Sequence, residues 1–430
     1  MLKEFSVNFG NFLLSLSDAI DLASSQIVSH QMRTAFIAWQ ISKSASLPKE
    51  RIEKLFIASL FHDIGALSLE EKIKLHKFEK IDVETHCILG EALFESCRLL
   101  APAKKIVRYH HKPWHLWDYS IDTPDIFDSQ ILCLADYIER HIDRNRYILH
   151  QVNGLIEKII SVSGDIIHGD VVKVFLEISS REDFWLDLSS PRLYSILLHS
   201  GPLRRAEIDY DNIFSIASLF RNTIDFKSRF TATHSTGVAE CAVMLSRLFG
   251  LTETEVKQMK IAGYFHDLGK LAIPNSILEK PGKLTKDEFA VIKQHTYFTY
   301  SVLNTIGGLD HIAEWAAFHH EKLDGTGYPF HVGAEKINTG ARIMAVSDIF
   351  TAISEDRPYR KGMERKKIET ILVSQVENNA LDKKIVNLLI ENFEGISSVV
   401  KEKQLESFEV FEMKFSNITR RGGRGTTLNY

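Results

Sequence analysis

No stretch of this 430-residue chain reaches the ~18 uninterrupted apolar residues that a membrane span requires, so no membrane partner is expected. Lys3 and Glu4 open the chain and polar residues break every apolar run after them, which predicts a soluble, cytoplasmic protein without a signal peptide. Cysteine is sparse. Cys87, Cys97, Cys133 and Cys241 form no CxxC pair and three lie in apolar surroundings, so they read as reduced core residues rather than a disulfide frame or a zinc site. An excess of one charge is also missing: 52 basic and 56 acidic residues are well mixed, and the net −4 does not mark a DNA binder. Prolines number only ten, and 44% hydrophobic with 25% charged residues is ordinary globular composition, long enough for two or three domains.

What the chain does contain is helical periodicity. Between Ser235 and Gly250, apolar residues fall at Val238, Cys241, Ala242, Leu245, Leu248 and Phe249, the stripe of a buried helix face, and Gly250 follows as a stop. Similar stripes run through Ile52–Leu60, Val256–Phe265, Trp315–Phe318 and Ile385–Phe393, while alternating strand-like runs are scarce. The fold class expected is all-α.

Histidine and aspartate positions reveal an internal repeat. His30 precedes His62, and His234 precedes His266, by 32 residues each; the second His is followed by Asp in Phe61-His62-Asp63-Ile64-Gly65 and Phe265-His266-Asp267-Leu268-Gly269. His86 and His295 come next, and 24 residues beyond each stands a His-His pair, His110-His111 and His319-His320. Each half then places an Asp in an apolar helical phrase, Asp136 and Asp348. Ten of the 18 histidines occupy these matched positions, which predicts two tandem related helical domains. The expected boundaries are residues 1–200, a linker over 201–212 at the Gly201-Pro202 turn and the charged stretch Arg204–Asp211, a second domain over 213–418 led by a helix from Ile213 to Phe226, and a disordered Arg/Gly-rich tail over 419–430.

A lone His on an apolar helix is ordinarily a satisfied core residue. Seven ligand-type residues recurring in the same order are different: burying several imidazoles and two carboxylates costs several kcal/mol each unless a common partner satisfies them, and a metal ion does so. Adjacent His-Asp adds a carboxylate whose two oxygens can bridge two cations. Imidazole with carboxylate suits Fe, Mn, Zn or Co rather than Mg.

The phrases around these residues are similar to those of a known family. His234…His266-Asp267…Asp348 resembles the core of the HD-domain metal-dependent phosphohydrolase superfamily. The second domain further resembles its HD-GYP branch through Lys270, Ile273-Pro274, Lys280-Pro281-Gly282-Lys283-Leu284-Thr285, His319-His320-Glu321-Lys322-Leu323-Asp324-Gly325-Thr326-Gly327-Tyr328-Pro329 and Asp356-Arg357-Pro358-Tyr359-Arg360. The resemblance covers about Asp225–Phe393. It implies hydrolysis of a cyclic dinucleotide, with cyclic di-GMP favoured and 3′,3′-cyclic GMP-AMP the alternative.

The resemblance also implies two metal ions, Fe or Mn first, with Zn, Co or Ni as substitutes. One would be held by His234, His266, Asp267 and Asp348, the other by Asp267, His295, His319 and His320. The position of a third-metal Glu in some relatives is Phe230, which cannot coordinate, so a two-metal site is expected. Such a cation pair polarises a phosphodiester and acidifies water for in-line attack. Asp267 and Lys270 are the expected catalytic residues, and Lys270, Arg357 and Arg360 the phosphate contacts. Gly325, Gly327, Tyr328 and Pro329 form a sharp turn that shapes the substrate site, with Tyr328 free either to stack on a base or to pack the loop.

The first half keeps His30, His62, Asp63, His86, His110, His111 and Asp136, a full potential second metal set, but has Ala66 at the Lys270 position. After His110-His111 comes Lys112-Pro113-Trp114-His115, without the glycine-tyrosine-proline phrase. A regulatory domain that binds metal without turnover, or a degenerate duplicate, is expected. The partners are then a cyclic dinucleotide and, in the family's range, a second copy of the chain. A general nucleotide phosphohydrolase leaves the loop and the Asp356–Arg360 phrase unexplained. A non-catalytic dinucleotide-binding scaffold leaves unexplained why the second half retains every ligand and Lys270.

Overall fold

A computed structural model describes residues 7–22, 27–77, 83–227, 233–356 and 361–413. Phe230, Arg357, Arg360 and the tail over 419–430 lie outside the described residues. Helices dominate; the strands among the described residues are Val7–Asn8 and Glu207–Ile208, a two-residue antiparallel pair that joins the ends of the first half. The chain divides into two compact units, the boundary falling between Asp209 and Tyr210. No described helix is long and apolar enough to cross a membrane.

In the second unit the Ser235–Gly250 periodicity becomes the His234–Phe249 helix, closed by Gly250 at φ +95°. Its apolar stripe packs Val238, Cys241, Ala242 and Leu245 out of solvent. The next helix, Glu253–Phe265, starts at a capping box in which Thr252 and Glu255 satisfy each other's backbone amides. The Lys286–Ile306 helix starts the same way from Thr285 and Glu288. Asp310–Ala317 follows, then Thr339–Ser354, whose cap is Asn338. One expectation needs correcting: the stripe Ile385–Phe393 is two helices, Lys383–Glu391 and Phe393–Phe411, broken at Asn392.

The first unit repeats the order with His30–Ser44, Lys49–Leu60, Val83–Glu95, Lys104–Tyr109 and Pro124–His141. A cap shared by the units was not anticipated. Asp21 accepts from the backbone amide of Gln31 at 2.9 Å, and Asp225 accepts from the Ser235 hydroxyl at 2.6 Å. Each sits ten residues before its donor, at the same 204-residue offset as the histidines, and fixes the start of the helix that carries the first His. Burial lifts both carboxyls to about 7.

Candidate metal centre

The helix ends, more than the helix middles, carry the site. The Glu253–Phe265 helix stops at His266, and Leu268–Ala272 continues as a tight 3₁₀ turn, so Lys270 lies one such turn beyond Asp267 rather than one α-turn. His319 and His320 likewise sit in the short turn Phe318–His320. Only His234, His295 and Asp348 project from regular α-helices. The seven residues come from five separate segments, and all but half-buried His320 are buried.

Glycine lets two of those segments meet. A Cβ on Gly269 would lie 1.9 Å from the His295 carbonyl oxygen, and one on Gly65 would lie 2.0 Å from that of His86. Only a residue without Cβ can bring the His-Asp turn against the helix of the third His. Thr299 ties the same joint, accepting from the Gly269 amide at 3.0 Å and donating to the His266 carbonyl at 3.2 Å.

The imidazoles are oriented by their backbones. Nδ1 of His266, His295 and His319 donates to the carbonyl three residues earlier, Gly263, Ile292 and Ala316, at 2.7–2.8 Å. A carbonyl has no hydrogen to give, so Nδ1 carries the proton and Nε2 presents a lone pair inward. Those nitrogens converge on carboxylates. His234 Nε2 lies 3.1 Å from Asp348 Oδ1, His266 Nε2 lies 3.1 Å from Asp267 Oδ2, and His295 Nε2 lies 3.5 Å from Asp267 Oδ1. Asp267 therefore turns one oxygen toward His266 and the other toward His295. His319 Nε2 is 3.4 Å from His295 Nε2, and His320 Nδ1 is 3.9 Å from Asp348 Oδ2.

Two buried atoms at the centre, His266 Nε2 and Asp267 Oδ1, have no hydrogen-bond partner. Burial lowers His319 and His320 and brings His295 down to about 3, with the Lys270 ammonium adding to the effect at His295 and His320, so these rings are neutral. Burial opposes ionisation of Asp267, yet His266, Lys270 and His295 hold its carboxyl well below the ordinary range. His234 is raised to about 10: burial opposes its charge but Asp348 and Glu355 outweigh it. Neutral His295, His319 and His320 beside ionised carboxylates, with inward atoms left unpaired, suit divalent cations, and a cation beside Asp348 would take the place of the His234 proton, so the residues fit them. Within this donor set His234, His266 and Asp348 form one group and His295, His319 and His320 another.

Lys270 pairs with Asp267 Oδ2 at 2.5 Å, its side chain about one quarter exposed. Tyr328 stands beside the opening, its ring 4.9 Å from that of His320 and 6.0 Å from Phe289, with the Lys293 ammonium 5.5 Å above it. The loop needs Gly327, since a Cβ there would come within 2.4 Å of the Glu321 Cα. Glu321 accepts from the amides of Phe330 and Val332, and Asp324 accepts from the amide and hydroxyl of Thr326.

The first unit assembles its counterpart more tightly. His30 Nε2, His62 Nε2, Asp63 Oδ2 and Asp136 Oδ1 lie close together, with His30–His62, His30–Asp63, His30–Asp136, His62–Asp63 and His62–Asp136 separations between 3.3 and 3.7 Å. Four donors held ~2.0–2.2 Å from one tetrahedral ion lie ~3.3–3.6 Å apart, so these fit a single cation. Asp63 Oδ1, His86 Nε2 and His110 Nε2 form a second triangle of 3.3–3.7 Å, with His111 in the same group.

Sequence reasoning missed several neighbours. Glu139 bonds His30 Nδ1, Glu355 lies 3.5 Å from His234 Nδ1, and Arg140 donates to Asp136 at 3.0 Å. Glu139 and Arg140 follow Asp136 by three and four residues, and Glu355 follows Asp348 by seven, so helical spacing from the ligand aspartates was the available signal. Cys87 was read as a core residue; its sulfur lies 3.6 Å from both His86 Nε2 and His110 Nδ1.

Known proteins are similar to this chain. The HD domain family matches residues 218–385 and, separately, residues 27–141. The chain is 29% identical to 3′3′-cGAMP-specific phosphodiesterase 1 of Vibrio cholerae over 399 residues, 90% of this chain and 93% of that one. It is 40% identical to a cyclic di-GMP phosphodiesterase of Pseudomonas aeruginosa over 136 residues, 31% of this chain and 32% of that one. A crystal structure of a cyclic GMP-AMP-specific phosphodiesterase of V. cholerae shares the fold, with a TM-score of 0.63 at 21% identity over 90% of this chain and 98% of that one. With an HD domain in each half and the histidine, lysine and glycine-tyrosine-proline phrases in the second, the chain belongs to the HD-GYP branch of the HD-domain superfamily.

Proposed function

We propose that the second unit is a metal-dependent phosphodiesterase that opens a cyclic dinucleotide. The observation that carries this is the inward convergence of His234, His266, Asp267, His295, His319, His320 and Asp348, with Asp267 facing both halves of the set. His234, His266, Asp267 and Asp348 would hold one divalent ion, and Asp267, His295, His319 and His320 the other. Bound there, the ions supply Lewis acidity toward the phosphodiester and acidify water.

The chain's own residues do the rest. His320 is the most exposed ligand, so substrate approaches from its side, past Tyr328. Lys270 brings an ammonium to that edge and donates N–H to a non-bridging phosphate oxygen, offsetting charge that grows as the phosphorus accepts a fifth oxygen. Hydrolysis then forms one P–O bond from water and breaks one to ribose, whose oxygen takes a proton. Tyr328 packs on His320 and offers its outer face to a base. Arg357 and Arg360 are proposed as further phosphate contacts.

Between the two substrates, the relative that matches both HD domains along its length is named for 3′3′-cGAMP, and this supports the mixed dinucleotide over the cyclic di-GMP expectation. Cyclic di-GMP remains a second reading because a relative matching a shorter stretch of 136 residues at higher identity is named for it. Incubating the protein with Mn²⁺ or anaerobic Fe²⁺ and each cyclic dinucleotide, then separating products by chromatography, tests both. Faster loss of 3′3′-cGAMP is expected; intact substrates under every metal condition would overturn the assignment.

For the first unit we infer a metal-holding domain without turnover. Its donors suit cations, yet Ala66 supplies no ammonium and Arg140 is bound to Asp136 instead.

A further inference from the structure

The two units differ most at the loop after the histidine pair. In the second unit that loop folds back: the Tyr328 amide donates to the His320 carbonyl at 3.2 Å and the Tyr328 ring covers His320. In the first unit the corresponding chain leaves in another direction. Trp114 and His115 donate their amides to the carbonyls of Ile166 and Asp165, at 2.8 and 2.9 Å. Beside His111 there is consequently a cavity of about 360 Å³, whose walls include Cys87, Arg108, Tyr109, Lys112 and Leu116.

The lining has two chemistries. Leu116 and the Tyr109 ring make an apolar side. Lys112 makes a cationic one: its ammonium lies 4.4 Å from the Trp117 ring and 5.8 Å from Tyr109, and among the described residues no carboxylate pairs with it. Glu84 also lines the cavity, but it is bound to Arg108 at 2.8 Å, and Arg108 approaches Glu91 at 3.5 Å as well, so that wall is a compensated ion pair and adds no net charge of its own. An uncompensated ammonium beside an apolar, aromatic surface recognises an anion attached to a flat ring. The volume is near the lower end of the ~300–1,000 Å³ range of small-molecule sites, room for one nucleotide rather than two.

The geometry points to a ligand site in the first unit for a nucleoside monophosphate, its phosphate on Lys112 and its base along Tyr109 and Leu116, in the space that the glycine-tyrosine-proline loop fills in the second unit. This site does not depend on which dinucleotide the second unit cleaves. It makes the first unit a receptor for single nucleotides.

The test is a fluorescence titration of the full-length protein with GMP as the probe, because Trp117 lies under Lys112 and reports on the first unit alone. A saturable change is expected, absent in Trp117→Phe. Affinity should fall roughly tenfold or more in Lys112→Glu, and similarly in Leu116→Trp, which fills the cavity without altering charge. Guanosine and inorganic phosphate should each bind roughly tenfold more weakly than GMP. Circular dichroism should show both variants folded, and cyclic-dinucleotide hydrolysis without GMP should be unchanged in them. No signal change up to millimolar GMP would overturn the proposal. So would wild-type affinity in Lys112→Glu or in Leu116→Trp, or inorganic phosphate binding as tightly as GMP.

Discussion

Gly269→Ala isolates the geometry on which hydrolysis rests, because it adds one methyl group and no charge. The new Cβ would stand 1.9 Å from the His295 carbonyl oxygen, 2.7 Å from its carbon and 2.9 Å from the His295 Cα, where real contacts do not fall below 3.0 Å. The His-Asp turn and the Lys286–Ile306 helix must therefore separate by 3.0 − 1.9 = 1.1 Å or more. All three contacts are backbone atoms, so no side chain can rotate away. The separation acts along the joint that sets His295 Nε2 3.5 Å from Asp267 Oδ1, and it pulls the shared carboxylate from the second ligand group. A displacement of about 1 Å at reacting groups costs ~10²-fold in rate, and overpacking costs about 1–3 kcal/mol of stability. Metal per chain by mass spectrometry, kcat/KM for each cyclic dinucleotide and thermal unfolding are the assays. Gly250→Ala is the comparison: at φ +95° with nothing within 4 Å of its Cβ, it should cost about 1–2 kcal/mol and leave metal content and rate intact. Near-wild-type turnover with full metal in Gly269→Ala would refute the reasoning.

Other substitutions separate the roles of neighbouring groups. His266→Ala and Asp267→Ala should each abolish hydrolysis while helical circular dichroism persists; turnover close to wild type in the Asp267 variant would remove the shared carboxylate from the mechanism. Lys270→Ala should lower kcat by about 10²-fold with metal retained, and loss of metal there would make Lys270 a structural residue. Glu321→Ala leaves the Phe330 and Val332 amides without their acceptor, costing about 1–3 kcal/mol and loosening the Tyr328 loop, so KM should rise more than kcat falls. Asp63→Ala in the full-length protein should reduce metal per chain while hydrolysis continues in the second unit; unchanged metal content would argue that the first unit holds none.

The fold class was legible because buried helix faces impose a 3.6-residue period that no other element shares. The His234–Phe249 helix and its Gly250 stop, the two threonine capping boxes and the near absence of strands follow from local chemistry alone. Asn392 was not legible as a break, since the apolar spacing from Ile385 to Phe393 runs across it and only packing of two separate helices ends the first one there. Around the site, the residue types and their order stood out because the repeat wrote them twice. Glu355, Glu139 and Arg140 did not stand out, because a charged residue on a helix is ordinarily solvated and only burial against an imidazole or a carboxylate gives it meaning.

By itself, then, the sequence determined two copies of an all-helical domain and the donor atoms available to each, since side-chain chemistry and helical period are local properties. The tertiary structure alone decided where those atoms point. Five segments bring seven side chains of the second unit to one centre, and backbone carbonyls choose which nitrogen faces inward. It also decided that the same histidine pair is covered by Tyr328 in one unit and borders a cavity in the other, because the direction a chain takes after a turn depends on which distant carbonyls receive its amides.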